Sequence, residues 1–256
     1  MKTNLKAIKA ELTVSSIKEF HNGVFRLECS SEQPLPVIKA GQFAHLSVPG
    51  KLLRRPICVY DNDEHGITFI VAKVGDGTRA LTSMKKGEKF DALLPLGNGF
   101  PIFPDRTNIA LLGGGTGCAP LLKIAKDNPS LNCTALLGFP TAGAKEVYAD
   151  DFDKVCRKVC YCTDDGSLGY HGFPTDLLTE IAPEVLYVCG APGMMKTAKQ
   201  YCISHGVVGF ASTEQRMGCG VGACLVCAVK VERDGKEQML RACADGPVFD
   251  IRELVL

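Results

Sequence analysis

Short runs rich in Val, Ile, Phe and Thr occupy the first hundred residues: Ala10 to Ser16, Gly23 to Glu28, Phe43 to Val48, Ile57 to Tyr60 and Thr68 to Lys73. Asn22-Gly23, Pro34, Pro36, Gly41, Pro49-Gly50 and the stretch from Asp63 to Gly66 punctuate them. Short strands spaced by turn residues predict an antiparallel barrel or sandwich. Arg79 to Met84 reads as a short helix. Past Gly97-Asn98-Gly99 the pattern changes. Apolar strands at Asn108 to Leu112, Leu131 to Leu137, Lys158 to Cys162 and Val185 to Cys189 alternate with helical patterns at Leu121 to Lys126, Tyr148 to Val155, Phe173 to Thr179 and Met194 to His205. That alternation predicts a parallel α/β sheet. From Ala211 glycine and cysteine dominate, and the runs Cys227 to Glu232 and Gln238 to Cys243 flank an Arg233-Asp234-Gly235 turn. The expected organisation is a β barrel over 1–102, an α/β nucleotide domain over 103–210 and a small cysteine-rich subdomain over 211–256.

Charge adds only exclusions. The 29 basic and 28 acidic side chains leave a formal charge of +1, which gives no electrostatic reason to expect nucleic acid or an anionic membrane as a partner. The N-terminal MKTNLKAIKAELTV lacks the apolar core of a signal peptide, and no long apolar stretch predicts a membrane span. The chain therefore reads as cytoplasmic. Its 13 cysteines then suggest thiols and metal ligands rather than disulfides.

Four of them form a pattern. Cys219-x4-Cys224-x2-Cys227-x15-Cys243 is the plant-type ferredoxin spacing for a [2Fe–2S] cluster. Thiolates must converge on two irons from one loop, and the cluster sulfurs need backbone N–H donors. Gly218, Gly220 and Gly222 let the backbone bend and approach closely. A structural zinc site is the alternative, but such sites usually carry two C-x2-C knuckles and this chain has one. Cys29, Cys118, Cys133, Cys156, Cys160, Cys162, Cys189 and Cys202 lie on apolar elements and read as small core residues.

Other segments suit phosphate-bearing ligands. In LRRPICVY (53–60) the Arg55 guanidinium matches diphosphate oxygens, Pro56 fixes the backbone, and main-chain groups of Ile57 and Cys58 are placed to meet a flavin ring. Gly77 and Thr78 precede a helix, whose N-terminus attracts phosphate. GGGTGCAP (113–120), with Gly113, Gly114, Gly115, Thr116 and Gly117, follows a strand and opens a helix, as does CGAPGMM (189–195) with Cys189 and Gly190. Singly, each of these motifs also fits an exposed basic pair or a tight turn. Asp164 and Asp165 end a strand, where carboxylates either bond a ribose hydroxyl and disfavour a 2′-phosphate, or cap the next turn.

In order, RRPI (54–57), GDGT (75–78), PLGNGF (95–100), GGGTGCAPL (113–121), TDDGSLG (163–169), CGAPGMM and EQRMGCGVGACLVCAV (214–229) resemble the ferredoxin–NADP reductase superfamily. Within it the cluster loop resembles the electron-transfer subunits of NAD-linked dihydroorotate dehydrogenases. The resemblance covers nearly the whole chain. It implies that Arg55, Pro56, Ile57 and Cys58, the segment Ile70, Val71 and Ala72, and Gly77-Thr78 bind FAD. It implies a relay in pyrimidine biosynthesis: a partner α/β-barrel subunit holding FMN oxidises dihydroorotate, electrons pass singly through the [2Fe–2S] cluster to FAD, and a hydride goes to NAD+. It also implies two copies of each subunit. The family usually has serine where Cys58 stands, and often Tyr-Arg where this chain has Val71-Ala72 followed by Lys73. The same folds serve subunits of sulfide dehydrogenases, ferredoxin-linked transhydrogenases and some hydrogenases. A non-catalytic zinc-binding interaction module is the alternative from another class.

Overall fold

Strand β1 (Ile8–Glu19) opens the chain as a computed structural model describes it, over residues 7–256. With β2 (Val24–Ser30), β3 (Phe43–Leu46), β4 (Arg55–Asn62), β5 (Gly66–Ala72) and β6 (Lys89–Leu96) it closes an antiparallel barrel in the order β1-β2-β5-β4-β3-β6. Period-two alternation selects what faces inward: Leu12, Leu27, Leu46, Phe69, Val71, Ala92 and Leu94 are buried in the barrel core. Helix α1 (Asp76–Thr82) closes one end through Leu81 and begins three residues earlier than the sequence pattern suggests. Its start is fixed by Thr78, whose Oγ1 accepts the N–H groups of Val74 and Gly75, both at 3.0 Å.

A seven-stranded sheet follows, in the order β10-β9-β8-β7-β11-β12-β15. Its strands are β7 (Asn108–Gly114), β8 (Asn132–Phe139), β9 (Lys158–Thr163), β10 (Tyr170–His171), β11 (Val185–Cys189), β12 (Val208–Ser212) and the late β15 (Val248–Asp250). All pairings are parallel except β12 with β15. Helices α2 (Leu122–Lys126), α3 (Asp151–Val155), α4 (Leu178–Ile181) and α5 (Pro192–His205) form the crossovers. The strands are buried on both faces, hence their continuous apolar runs. The remaining pair, β13 (Ala228–Arg233) and β14 (Lys236–Arg241), is an antiparallel hairpin.

The expected boundary between 210 and 211 falls inside β12, and the last segment does not stand apart. β15 extends the nucleotide sheet, and Phe249, Ile251 and Leu254 are buried in its core beside Val229 and Val231 of the hairpin. Asn98, in the turn that separates barrel from sheet, donates to the Val248 carbonyl at 2.9 Å and accepts its N–H at 3.0 Å. Barrel and sheet also meet at a polar joint. Tyr60, fully buried on β4, donates to Asp151 Oδ2 at 2.9 Å, and Arg26 on β2 donates to the same oxygen at 2.8 Å.

Among the described residues no helix is long and apolar enough to cross a membrane. Cys29, Cys118, Cys133, Cys162, Cys189 and Cys202 are buried; Cys156 and Cys160 are half-buried against the core.

Candidate functional site

A cleft of about 270 Å³ lies where barrel, nucleotide sheet and C-terminal segment meet. The barrel contributes Arg55, Pro56, Ile57 and Cys58 from β4, Ile70 and Ala72 from β5, and Thr78 from α1. Because β5 alternates, Val71 points the other way: its side chain is buried in the barrel core, so only its main chain is on offer. Lys73 is also turned away from the cleft, with its ammonium near Glu19 at 3.4 Å and over the Phe25 ring. Arg54 is held by an ion pair to Asp91 and by a bond from its Nη1 to the His45 carbonyl at 3.1 Å. Arg55 is the one placed at the cleft. Its Nη1 donates to the Leu53 carbonyl at 2.7 Å, and its guanidinium lies over Gly77, where any Cβ would overlap it.

The two glycine-rich turns come together because β7 and β11 are adjacent, with Gly113 opposite Cys189. A Cβ on Gly117 would stand 2.5 Å from the Cys189 carbonyl, and one on Gly190 would be 3.3 Å from the Gly114 amide. Of these residues Thr116 and Cys189 line the cleft, followed by Ala119 and Pro120. Gly113 and Gly115 do not line it; a Cβ on Gly113 would press on Cys118 Sγ at 2.8 Å, and Gly115 has φ +55°. Asp164 and Asp165 differ. Asp165 accepts the amide and the hydroxyl of Ser167, at 3.0 and 2.6 Å, and the Ser167 hydroxyl leads the groups that hold its carboxyl below the ordinary range. Asp164 is exposed and bonds through its backbone, its N–H donating to the Phe139 carbonyl and its own carbonyl meeting His171, both at 3.1 Å.

The third wall, Ser212, Thr213, Glu214, Gln215 and Met217, has no cofactor role in the sequence reading, although its last three residues fall in the EQRMGCGVGACLVCAV segment. The available signal was topological. This stretch leaves the carboxyl end of β12, where open α/β sheets present ligands. Burial pushes the Cys58 thiol up to about 12 and Cys189 well above its usual range, and the nearby Glu214 charge pushes both further, so both remain protonated at neutral pH.

The same stretch runs directly into the cysteine loop. There the four cysteines fall into two pairs. The Cys219 N–H points at Cys224 Sγ at 3.3 Å and the Cys224 N–H at Cys219 Sγ at 3.4 Å. Cys227 and Cys243 Sγ atoms lie 3.2 Å apart, and the Cys243 N–H points at Cys227 Sγ. Val221 and Ala223 also aim their N–H groups at Cys219, and Gly222 aims its own at Cys243. The Val221 amide leads in lowering the Cys219 thiol to about 6, whereas burial pushes Cys243 up to about 12. Gly220 and Gly222 take φ +72° and +85°, which lets consecutive amides turn inward. Two thiol pairs with converging N–H donors fit a two-iron cluster, one pair near the surface and one buried. Arg241 braces the loop, donating to the Gly222 carbonyl at 2.9 Å and pairing with Asp245.

Residues 214–255 match the family model for the iron–sulfur cluster binding domain of dihydroorotate dehydrogenase B. The electron-transfer subunit of dihydroorotate dehydrogenase B (NAD+) from Streptococcus mutans is 37% identical, with 97% of this chain and 99% of that one covered. Its counterpart from Bacillus velezensis is 36% identical at the same coverage. A solved structure of an NADH-dependent reduced ferredoxin–NADP oxidoreductase superposes with a TM-score of 0.83 at 29% identity, covering 95% of this chain and 89% of that one. Phthalate dioxygenase reductase shares the fold, with a TM-score of 0.62 at 20% identity over 93% of this chain and 77% of its own. The chain belongs to the family of electron-transfer subunits of dihydroorotate dehydrogenase B (NAD+).

Proposed function

We propose that this chain is the oxidoreductase component that takes electrons from a dihydroorotate-oxidising partner subunit and delivers them to NAD+ by way of a [2Fe–2S] cluster and FAD. The observation that carries the reading is continuity: Ser212, Thr213, Glu214, Gln215 and Met217 wall the cleft between barrel and nucleotide sheet, and Cys219 follows two residues after Met217. When bound, a cluster moves electrons singly, a flavin takes one or two, and nicotinamide accepts only a hydride pair.

The residues divide this work. Cys219, Cys224, Cys227 and Cys243 are the iron ligands, with loop amides offsetting their negative charge. Arg55 and Thr78 hold the FAD diphosphate, and the main chain of 56–58 and 70–72 meets the flavin. Gly113 to Gly117 and Cys189-Gly190 form the turns that receive the nicotinamide nucleotide, and Asp164 contacts its ribose. No side chain here need act as a general base. The partner is proposed to carry FMN and to assemble with two copies of each subunit.

A ferredoxin-linked transhydrogenase role is the second reading, favoured by the overlay with the ferredoxin–NADP oxidoreductase chain. Purification of the native complex separates the two. The proposal expects FAD and two irons per chain, with an FMN-bearing partner that supports dihydroorotate-driven NAD+ reduction. A partner indifferent to dihydroorotate overturns it, and a colourless preparation with zinc and no flavin returns the interaction module.

A further inference from the structure

His45 is 1% exposed, and neither of its ring nitrogens makes a hydrogen bond of good geometry, the backbones of Arg54 and Cys219 being the polar groups nearest the ring. Two of the four buried side-chain N and O atoms without a partner among the described residues are therefore on this one ring. An unpartnered buried imidazole is costly, and such a group in a native fold calls for a missing partner. Its surroundings show where that partner lies. His45 is on β3, paired across the ladder with Pro56, which lines the flavin cleft. On its other side the ring meets the cluster loop: the backbone of Cys219 is beside it, and a Cβ on Gly220 would stand 2.5 Å from Nδ1. The ring thus fills the space between the strand that borders the flavin cleft and the loop that holds the exposed thiol pair.

We propose that His45 is a positioning residue for the cluster, donating an imidazole N–H to a cluster sulfur, either the Cys219 thiolate or a bridging sulfide. The inference rests on the cluster reading above. A neutral imidazole always carries one N–H, so the bond needs no change of protonation. The donor faces a sulfur that becomes more negative when the cluster accepts its electron, and it favours the reduced form. The same contact pins the loop to β3 and keeps the distance from cluster to flavin fixed. Gly220 is required because any side chain there would occupy the space of the ring.

The test uses the full chain in complex with its partner, with histidine ¹⁵N-labelled and the cluster reduced under anaerobic conditions. Pulsed EPR should show one weakly coupled histidine nitrogen in the unmutated protein. His45→Gln, which keeps an N–H of similar reach, and His45→Leu, which does not, are then compared by EPR-monitored redox titration. The expected result for His45→Leu is loss of the nitrogen coupling and about a tenfold fall in reduced cluster at fixed potential, equivalent to about 59 mV for a one-electron couple. The FAD potential and NADH-to-ferricyanide rate should be unchanged, and His45→Gln should recover most of the cluster potential. A normal two-iron EPR signal without nitrogen coupling in the unmutated protein overturns the role of His45 alone, as does an unaltered cluster potential in His45→Leu. Absence of any two-iron signal overturns the cluster reading itself. The measurement on unmutated protein decides the matter even where a variant fails to fold.

Discussion

At Gly77 the backbone of α1 lies directly beneath the Arg55 guanidinium. Gly77→Ala would therefore displace the guanidinium while leaving its charge in the chain. A lost charge-assisted bond to a diphosphate corresponds to about 1.5–3 kcal/mol, so FAD should bind at least about tenfold more weakly. Fluorescence titration of the deflavinated protein measures this directly, and an unchanged dissociation constant would remove Arg55 from the diphosphate site. The two aspartates after β9 separate in the same way. Asp165 is committed to Ser167, whereas Asp164 has a free carboxylate at the strand end. Asp164→Ser should lower the ratio of kcat/KM for NAD+ over NADP+ by about tenfold, the scale of one ribose contact and one removed repulsion. Asp165→Ser should leave the ratio alone and only loosen the turn that Ser167 closes. Equal behaviour of the two variants would show that neither carboxylate reads the ribose.

Element scale shows what the sequence could and could not reveal. Five barrel strands were legible, because each is an apolar run ended by Pro, Gly or Asn. The sixth, Lys89–Leu96, was not read: Pro95 and the Gly97 turn mask the inward series Phe90, Ala92, Leu94. The strand β15 has three residues, too few for a period, and only tertiary pairing with β12 creates it. The four-cysteine spacing was legible because it is a local, covalent property, and it is this spacing that the proposed cluster rests on. The cleft wall at 212–217 was not, since its role follows from the position of β12 in the sheet order. The joint of β2, β4 and α3 was also invisible, its residues being 91 and 125 positions from Asp151. That joint should be sensitive to acid. Burial alone would raise the Asp151 carboxyl, but the Arg26 guanidinium and Tyr60 hydroxyl outweigh it and hold the value below the usual range. A depressed folded value contributes stability above the unfolded value of about 3.9, and this is lost as pH falls through the folded value. Asp151→Asn should thus be less stable than the parent at pH 7, and the difference should shrink below about pH 4, as denaturant midpoints across pH would show. A constant difference at every pH would mean that the joint acts through packing alone.

For the molecule as a whole, the cluster-bearing segment is part of the nucleotide sheet rather than a detachable tail. A chain ended after Thr213 would lose β15, uncover β12, and remove Val229, Val231, Phe249, Ile251 and Leu254 from one core. At about 1.5–3 kcal/mol for each buried side chain of this size, those five represent on the order of 10 kcal/mol of burial, comparable to the full stability of a typical domain. The truncated chain should therefore not accumulate as folded flavoprotein. Replacing all four cluster cysteines by serine retains that burial, so this variant should fold, bind FAD and oxidise NADH with ferricyanide, while failing to exchange electrons with the partner subunit. The comparison separates two designs for an electron relay. In one, a cluster module is tethered to a reductase and the reductase survives its removal. In the other, which this fold supports, the strand that follows the last iron ligand is a strand of the nucleotide domain, and the cluster's distance to the flavin is fixed by that sheet. A stable, FAD-loaded truncated chain would show that the tethered design is the right one.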